Sequence, residues 1–209
     1  MDLAQPYRAL TPTVNGDILV QLARSTKPRT GRELARLSKR SEAGVRHQVA
    51  RLVEQGLVHV EQTPGGRLYT LNRDHLAAPI VGQIAALRLA LFERLRGQIS
   101  DWRTSPVHAS VFGSAARGDG DVHSDIDLFV VRPQDTSPEA ETWREQLDDL
   151  ADCVYRWTGN HAGISEVGEE DLPRLRRERP PVVEELLTDA VHLVGEQAPR
   201  LLGAGHELP

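Results

Sequence analysis

Apolar residues recur at helical spacing from Val14 to Ala23, where Val14, Ile18, Leu19 and Leu22 mark one face and predict a first helix. A second helix is predicted after "KPRT". Thr30 stands in the capping position, Glu33 three residues on completes a capping box, and Leu34 and Leu37 are the core positions. In "SKRSEAGVRHQVARLVEQGL", Ser41 caps a third helix that places Val45, Val49, Leu52 and Val53 on one face, and Gly56 stops it. The alternating segments "LVHVEQ" and "RLYTL" are joined by "TPGG", the pattern of a β-hairpin.

Beyond the hairpin, "PIVGQIAALRLALFERLRGQIS" carries Ile80, Ile84, Leu87, Leu91 and Leu95 on one stripe, which Leu89, Phe92 and Ile99 broaden. One helix over 79–100 is predicted to connect two domains, 1–78 and 79–209. Its apolar surface is wider than one contact face needs: it is expected to pack on the second domain and also on the first, and the alternative is that part of it forms a homodimer seam. "VHASVFG" and "DIDLFVV" read as buried strands; "PEAETWREQLDDLADCVYRWTG" reads as a helix, "HAGISEV" as a strand, "PPVVEELLTD" as a helix and "AVHLVG" as a last strand.

Charge divides along the same line. Met1 to Ala78 holds 12 Lys and Arg against 7 Asp and Glu, whereas Pro79 to Pro209 holds 13 against 23, net +5 and −10. Only the first segment has the balance to meet a polyanion. Its element order, over roughly Thr13 to Asn72, resembles the winged helix-turn-helix family. The resemblance implies a duplex-DNA partner, with the helix from Ser41 to Gln55 in the major groove presenting Arg46, His47 and Gln48. Arg51 would lie nearer the backbone, and Arg67 at the hairpin tip would reach phosphate or the minor groove.

The chemistry concentrates in "GSAARGDGDVHSDIDLFVV", Gly113 to Val131. Residues two apart on a strand project to one side, roughly 6.6 Å apart along it, so Asp125 and Asp127 can converge on cations. A buried apolar strand tolerates two such carboxylates poorly without counterions. A Walker A loop is excluded because Asp119 and Gly120 stand where Lys and Ser or Thr are required. A calcium loop counted from Asp119 fails as well, with Ser124 at its glycine position and Val130 at its glutamate position.

The Gly-Ser, the Arg-Gly and then Ser-Asp-Ile-Asp-Leu resemble the nucleotidyltransferase signature of the DNA polymerase β superfamily, especially its minimal members. The implied fold class is α+β: an N-terminal winged helix followed by a small mixed-sheet nucleotidyltransferase domain. The implied activity is transfer of an NMP group from an NTP, with ATP the expected donor and Mg2+ (or Mn2+) the expected cofactor. Gly113 and Ser114 would meet the phosphates, Arg117 would stand near them, and Asp125 and Asp127 would ligate metal. The family's third carboxylate, from a neighbouring strand, is assigned to Glu166, although Glu169, Glu170 and Asp171 follow it as the acidic first turn of a helix.

Two other functions fit the same residues: a DNA-binding regulator that only senses nucleotide, and a toxin–antitoxin or phage-defence component acting with a protein partner. The acceptor, whether protein, RNA or small molecule, is not specified. Cys153 is the only cysteine, which excludes intrachain disulfides and cysteine-rich zinc sites. The beginning "MDLAQPYRAL" has no basic-then-apolar signal, and no run of eighteen apolar residues follows, so a cytoplasmic protein without membrane contact is expected. Lys occurs only at Lys27 and Lys39 among many Arg, as GC-rich bacterial genomes encode. His123, His161 and His192 lack a metal-ligand pattern, and Trp143 and Trp157 are expected in the core.

Overall fold

Residues 1–203 are described by a computed structural model, in which the chain parts between Arg88 and Leu89. Gln5–Arg88 form one compact unit, and Met1–Ala4 join the chain from Leu89 onward in the other. The division therefore lies ten residues beyond the expected 78/79 boundary, and the first four residues belong with the second unit. Packing is the reason. Leu3 is fully buried in the second unit's core, and the Ala4 N–H donates to the Gly120 carbonyl at 2.9 Å.

The first unit runs α1 (Val14–Ala23), β1 (Arg29–Thr30), α2 (Gly31–Ser38), α3 (Glu42–Glu54), β2 (Val58–Thr63), β3 (Gly66–Leu71) and α4 (Ala78–Ala85). Thr30 and Glu33 form the reciprocal capping box, and the Ser41 hydroxyl accepts from the Gly44 N–H at 3.2 Å. Ile18, Leu22, Leu34, Val45, Val49 and Leu52 meet in one core. The two-residue β1 pairs with β3, Arg29 opposite Tyr69, and makes the hairpin a three-stranded antiparallel sheet. Asp17 is fully buried on α1, where it accepts from Tyr7 Oη at 2.9 Å and from Arg40 Nε at 2.6 Å, with Arg8 at 3.1 Å. A buried carboxylate with these partners fixes the turn that leads into Ser41.

The single helix expected over 79–100 is two helices, α4 and α5 (Leu87–Ser100), interrupted at Ala86. Its broad apolar surface is really two narrower stripes serving two cores. Ala78 and Val81 pack in the first unit, and Leu91, Phe92, Leu95 and Ile99 in the second, while Ile80 and Leu89 stay exposed.

The second unit continues with β4 (His108–Val111), α6 (Gly113–Arg117), β5 (Ile126–Arg132), α7 (Glu141–Thr158), β6 (Ala162–Gly168), α8 (Leu172–Glu178), α9 (Pro181–Thr188), β7 (Val191–Gly195) and α10 (Ala198–Leu202). The strands form one mixed sheet in the order β6-β5-β4-β7, parallel between β5 and β6 and antiparallel elsewhere. The alternation of β5 defines its two faces. Ile126, Leu128 and Val130 pack against α5 and α7, whereas Phe129 and Val131 pack against α8, α9 and α10. Trp143 of α7 is wholly buried, edge-on to Trp102 at 5.5 Å. No helix among the described residues is long and apolar enough to cross a membrane.

His108 ties β4 to the end of β7. The Glu196 carbonyl can only accept, so His108 Nδ1 donates to it at 2.6 Å, and Nε2 accepts from the Ser110 hydroxyl at 2.9 Å. Both bonds suit the neutral ring. Burial, seconded by His192, holds this imidazole below its ordinary value despite the opposing pull of the Glu196 carbonyl. The unfolded chain therefore takes up a proton that the folded chain refuses. This contribution to stability is complete above pH ~6.5 and is lost as pH falls below that, towards the folded value. Thermal melts at pH 8 and pH 5.5 should show a larger acid-induced loss in the wild type than in His108→Gln.

Candidate nucleotidyl-transfer site

β4 ends at Val111, and the chain turns through Phe112 into the five-residue α6, so that Gly113 lies beside β5. The Phe112 N–H donates to the Asp127 carbonyl at 3.0 Å. Gly113 has φ +64, a left-handed conformation, and a Cβ there would lie 2.5 Å from Asp127 Oδ2. Glycine is required on both counts: it accepts the backbone angle and lets the turn approach the carboxylate. Ser114 follows on the same turn, half-buried, and Arg117 closes α6 in an exposed position.

Asp125 is exposed and immediately precedes β5; Asp127 is half-buried within it. Asp127 shares the strand face of Phe129 and Val131. Its carboxyl is pushed above the usual carboxylate range, first by burial, then by the negative charges of Asp125 and Glu185, with Arg117 opposing. A carboxylate strained in this way is one that a cation would relieve. Asp125 and Asp127 are the two acids here that could hold one. Among the described residues no group of three or more His, Cys, Asp or Glu is gathered closely enough to hold a metal by itself.

Glu166 does not complete the set. In the parallel ladder Asp127 lies opposite Gly163, and Glu166 lies three residues further along, opposite Val130. That places it on the other face of the sheet. There its Oε1 accepts from Trp143 Nε1 at 3.0 Å and from Arg132 Nε at 3.0 Å, and Arg132 also binds Glu170 at 2.9 Å. The expectation of a third catalytic carboxylate at Glu166 is thus corrected. Parity along β6 was sound, but the register of β6 against β5 was invisible in the sequence. The residue that does face Asp127 is Gly163, where a Cβ would sit 2.8 Å from Oδ1.

Two residues that bear on the site carry no sequence motif. Asn160, nearly buried just after α7, donates from Nδ2 to the Ser124 carbonyl at 2.9 Å and so holds the loop that delivers Asp125. Within that loop the Asp121 carboxylate accepts from the His123 N–H at 2.8 Å, which holds its own protonation below the usual range. His123 itself is exposed, while His161 stacks on Tyr155 with ring centres 5.1 Å apart. The second residue is Glu185 of α9, whose carboxylate lies 3.7 Å from Arg117 Nη1. The second of two adjacent acids in an amphipathic helix, Glu185 after Glu184, gave no hint of this partner.

The first unit gathers a different set. Arg46, His47 and Arg51 are exposed on α3, Ser41 is engaged as its cap, and Arg67 is exposed on β3. Gln48 is half-buried, its Oε1 without a hydrogen-bond partner. A cleft of about 330 Å³ among α2, α3 and β3 is lined by Arg32, Arg46 and Arg67, by the acid Glu42 and by Val45, Val49 and Tyr69.

A glycine turn against one acid on a strand and another just before it, on a mixed sheet covered by helices on both faces, is an arrangement that suits the handling of nucleotide phosphates. The comparison with known families makes it specific. Residues 93–196, from within α5 to just past β7, match the nucleotidyltransferase domain family, and the protein is a nucleotidyltransferase, an enzyme of NMP transfer. No curated protein and no solved structure matches the chain significantly.

Proposed function

We propose that the protein transfers the NMP group of an NTP, with ATP the first donor to try, to an acceptor hydroxyl on a separate molecule, in a reaction that depends on Mg2+ or Mn2+. The observation that carries this reading is the close approach of the Gly113 backbone to Asp127, which sets the glycine turn directly against that carboxylate and which any Cβ at this position would obstruct. Asp125 and Asp127 would hold the metal, which when bound neutralises phosphate charge and polarises the reacting phosphorus. The protein's own groups do the rest. Backbone N–H groups of the turn and the Ser114 hydroxyl bind phosphate oxygens, and Arg117 offers a fixed guanidinium to them. Val111, Leu128 and Phe129 keep the turn and the acids on rigid neighbouring strands. Incubation with each of the four labelled NTPs and Mg2+ or Mn2+, against protein, RNA and small-molecule acceptors and the protein itself, tests the proposal. Absence of binding by all four in calorimetry would overturn it.

The first unit is proposed to be a winged helix-turn-helix that binds duplex DNA. Its order α1-β1-α2-α3-β2-β3, with β1 on β3, supports this reading, as do the arginines that border the cleft between α3 and the hairpin. Binding to a pool of genomic fragments should weaken steeply with salt as counterions are retained. Arg46→Ala should blunt sequence preference by ~1–3 kcal/mol, and Arg67→Ala should lower affinity on all sequences and reduce the salt slope by about one. Salt-insensitive binding, or none, would exclude a DNA-binding role.

A further inference from the structure

Among the described residues Arg117 is the cation whose charge reaches Asp127, and it is already engaged by two carboxylates. Its Nε lies 3.3 Å from Asp119 Oδ2, two residues away, and its Nη1 lies 3.7 Å from Glu185 Oε2, brought by α9. The position of α9 is not incidental. Val183 and Leu186, on either side of Glu185, are buried against the sheet face of Phe129 and Val131, the face that also carries Asp127. Its neighbour Glu184 serves a different partner, Arg179, at 2.8 Å. Glu185 is therefore held where its charge, like that of Arg117, reaches Asp127.

A carboxylate and a phosphate present similar oxygen pairs to a guanidinium. At 3.7 Å the Glu185 pairing is an ion pair without a hydrogen bond, and Arg117 is 39% exposed, so the contact is weak enough to exchange. A triphosphate arriving near Asp125, Asp127 and Glu185 meets three negative charges, and it gains the Nη1 side of the nearby guanidinium by taking it from Glu185, while Asp119 keeps the Nε side. We propose that Glu185 is a built-in competitor of the nucleotide: it occupies Arg117 until a phosphate displaces it, and so sets the affinity of the site for NTP. This inference rests on the reading of Gly113–Arg117 as the nucleotide turn.

The test is a double-mutant cycle read by calorimetry with Mg2+·ATP and, in parallel, Mg2+·GTP, CTP and UTP. Glu185→Gln should bind the preferred nucleotide about two- to fivefold more tightly than wild type, the range expected of one exposed ion pair. In the Arg117→Ala background the same substitution should change binding by less than about 1.5-fold, because the competitor then has nothing to hold. Glu184→Gln should bind as wild type does. Three results would overturn the proposal: unchanged binding in Glu185→Gln, weaker binding, which would make Glu185 a support of the metal–nucleotide complex, or tightening that persists without Arg117, which would make it a general repulsion. If wild type binds no NTP at all, the nucleotide turn itself has been misread. If wild type binds and Glu185→Gln does not tighten, only the competitor role fails.

Discussion

Asp127→Asn should abolish NMP transfer while leaving the fold in place. The carboxylate lies half-buried beside Asp125 and Glu185, and its raised affinity for protons records how costly that charge is without a cation. Asparagine keeps the volume and removes the charge. Turnover, followed as labelled NMP incorporated from the donor, should fall by at least ~100-fold, the scale of losing one aimed electrostatic group in an active site. Stability should move the other way. Because the folded carboxyl is harder to ionise than the unfolded one, the charged side chain destabilises the fold at neutral pH, and Asp127→Asn should melt no lower than wild type. A variant that folds and still turns over at wild-type rate would remove Asp127 from the chemistry.

The second large effect is expected at Gly113. Alanine there would have to adopt φ +64 and place its Cβ 2.5 Å from Asp127 Oδ2. The backbone penalty alone is about 1–2 kcal/mol. The clash is worse for function than for folding, since it is relieved by moving either the turn or the Asp127 carboxylate. Gly113→Ala should therefore lose NTP binding and turnover by roughly tenfold or more, with a stability loss of about 1–3 kcal/mol. Gly56→Ala supplies the comparison. It shares a positive φ, +75, but has no atom within 4 Å of the added Cβ, so it should cost stability and leave transfer untouched. Equal transfer rates in the two variants would mean that close approach to Asp127 is unimportant.

The relation of β6 to β5 explains why one expected residue failed. Within a strand, parity is a local property, and it placed Asp127 on one side of β5, with Asp125 two residues before it, and Glu166 with Ala162 and Ile164 on β6. Which residue of β6 stands beside Asp127 depends on how two strands separated by α7 are paired, a choice made by packing along their whole length. The ladder puts Gly163 there and carries Glu166 to the opposite face, where Arg132 and Trp143 claim it. No periodicity within either segment encodes that offset.

The helix boundaries show the same division. Thr30, Glu33 and Ser41 cap their helices because a capping hydroxyl and the N–H it satisfies lie three residues apart, within reach of the sequence alone. The stripe from Ile80 to Ile99 was equally visible, yet whether it makes one helix or two depends on which core each residue meets, and the break at Ala86 follows from two separate cores. The sequence by itself determined most of the elements, their caps, the acids Asp125 and Asp127 at the start of β5 and the glycine turn before them, because each is an interaction between near neighbours in the chain. Only the tertiary structure decided the partner of Glu166, the return of Leu3 to the second core, the hold of Asn160 on the acidic loop and the pairing of Arg117 with Glu185. Those contacts join residues between 23 and well over 80 positions apart, and their register is set by the packing of whole layers.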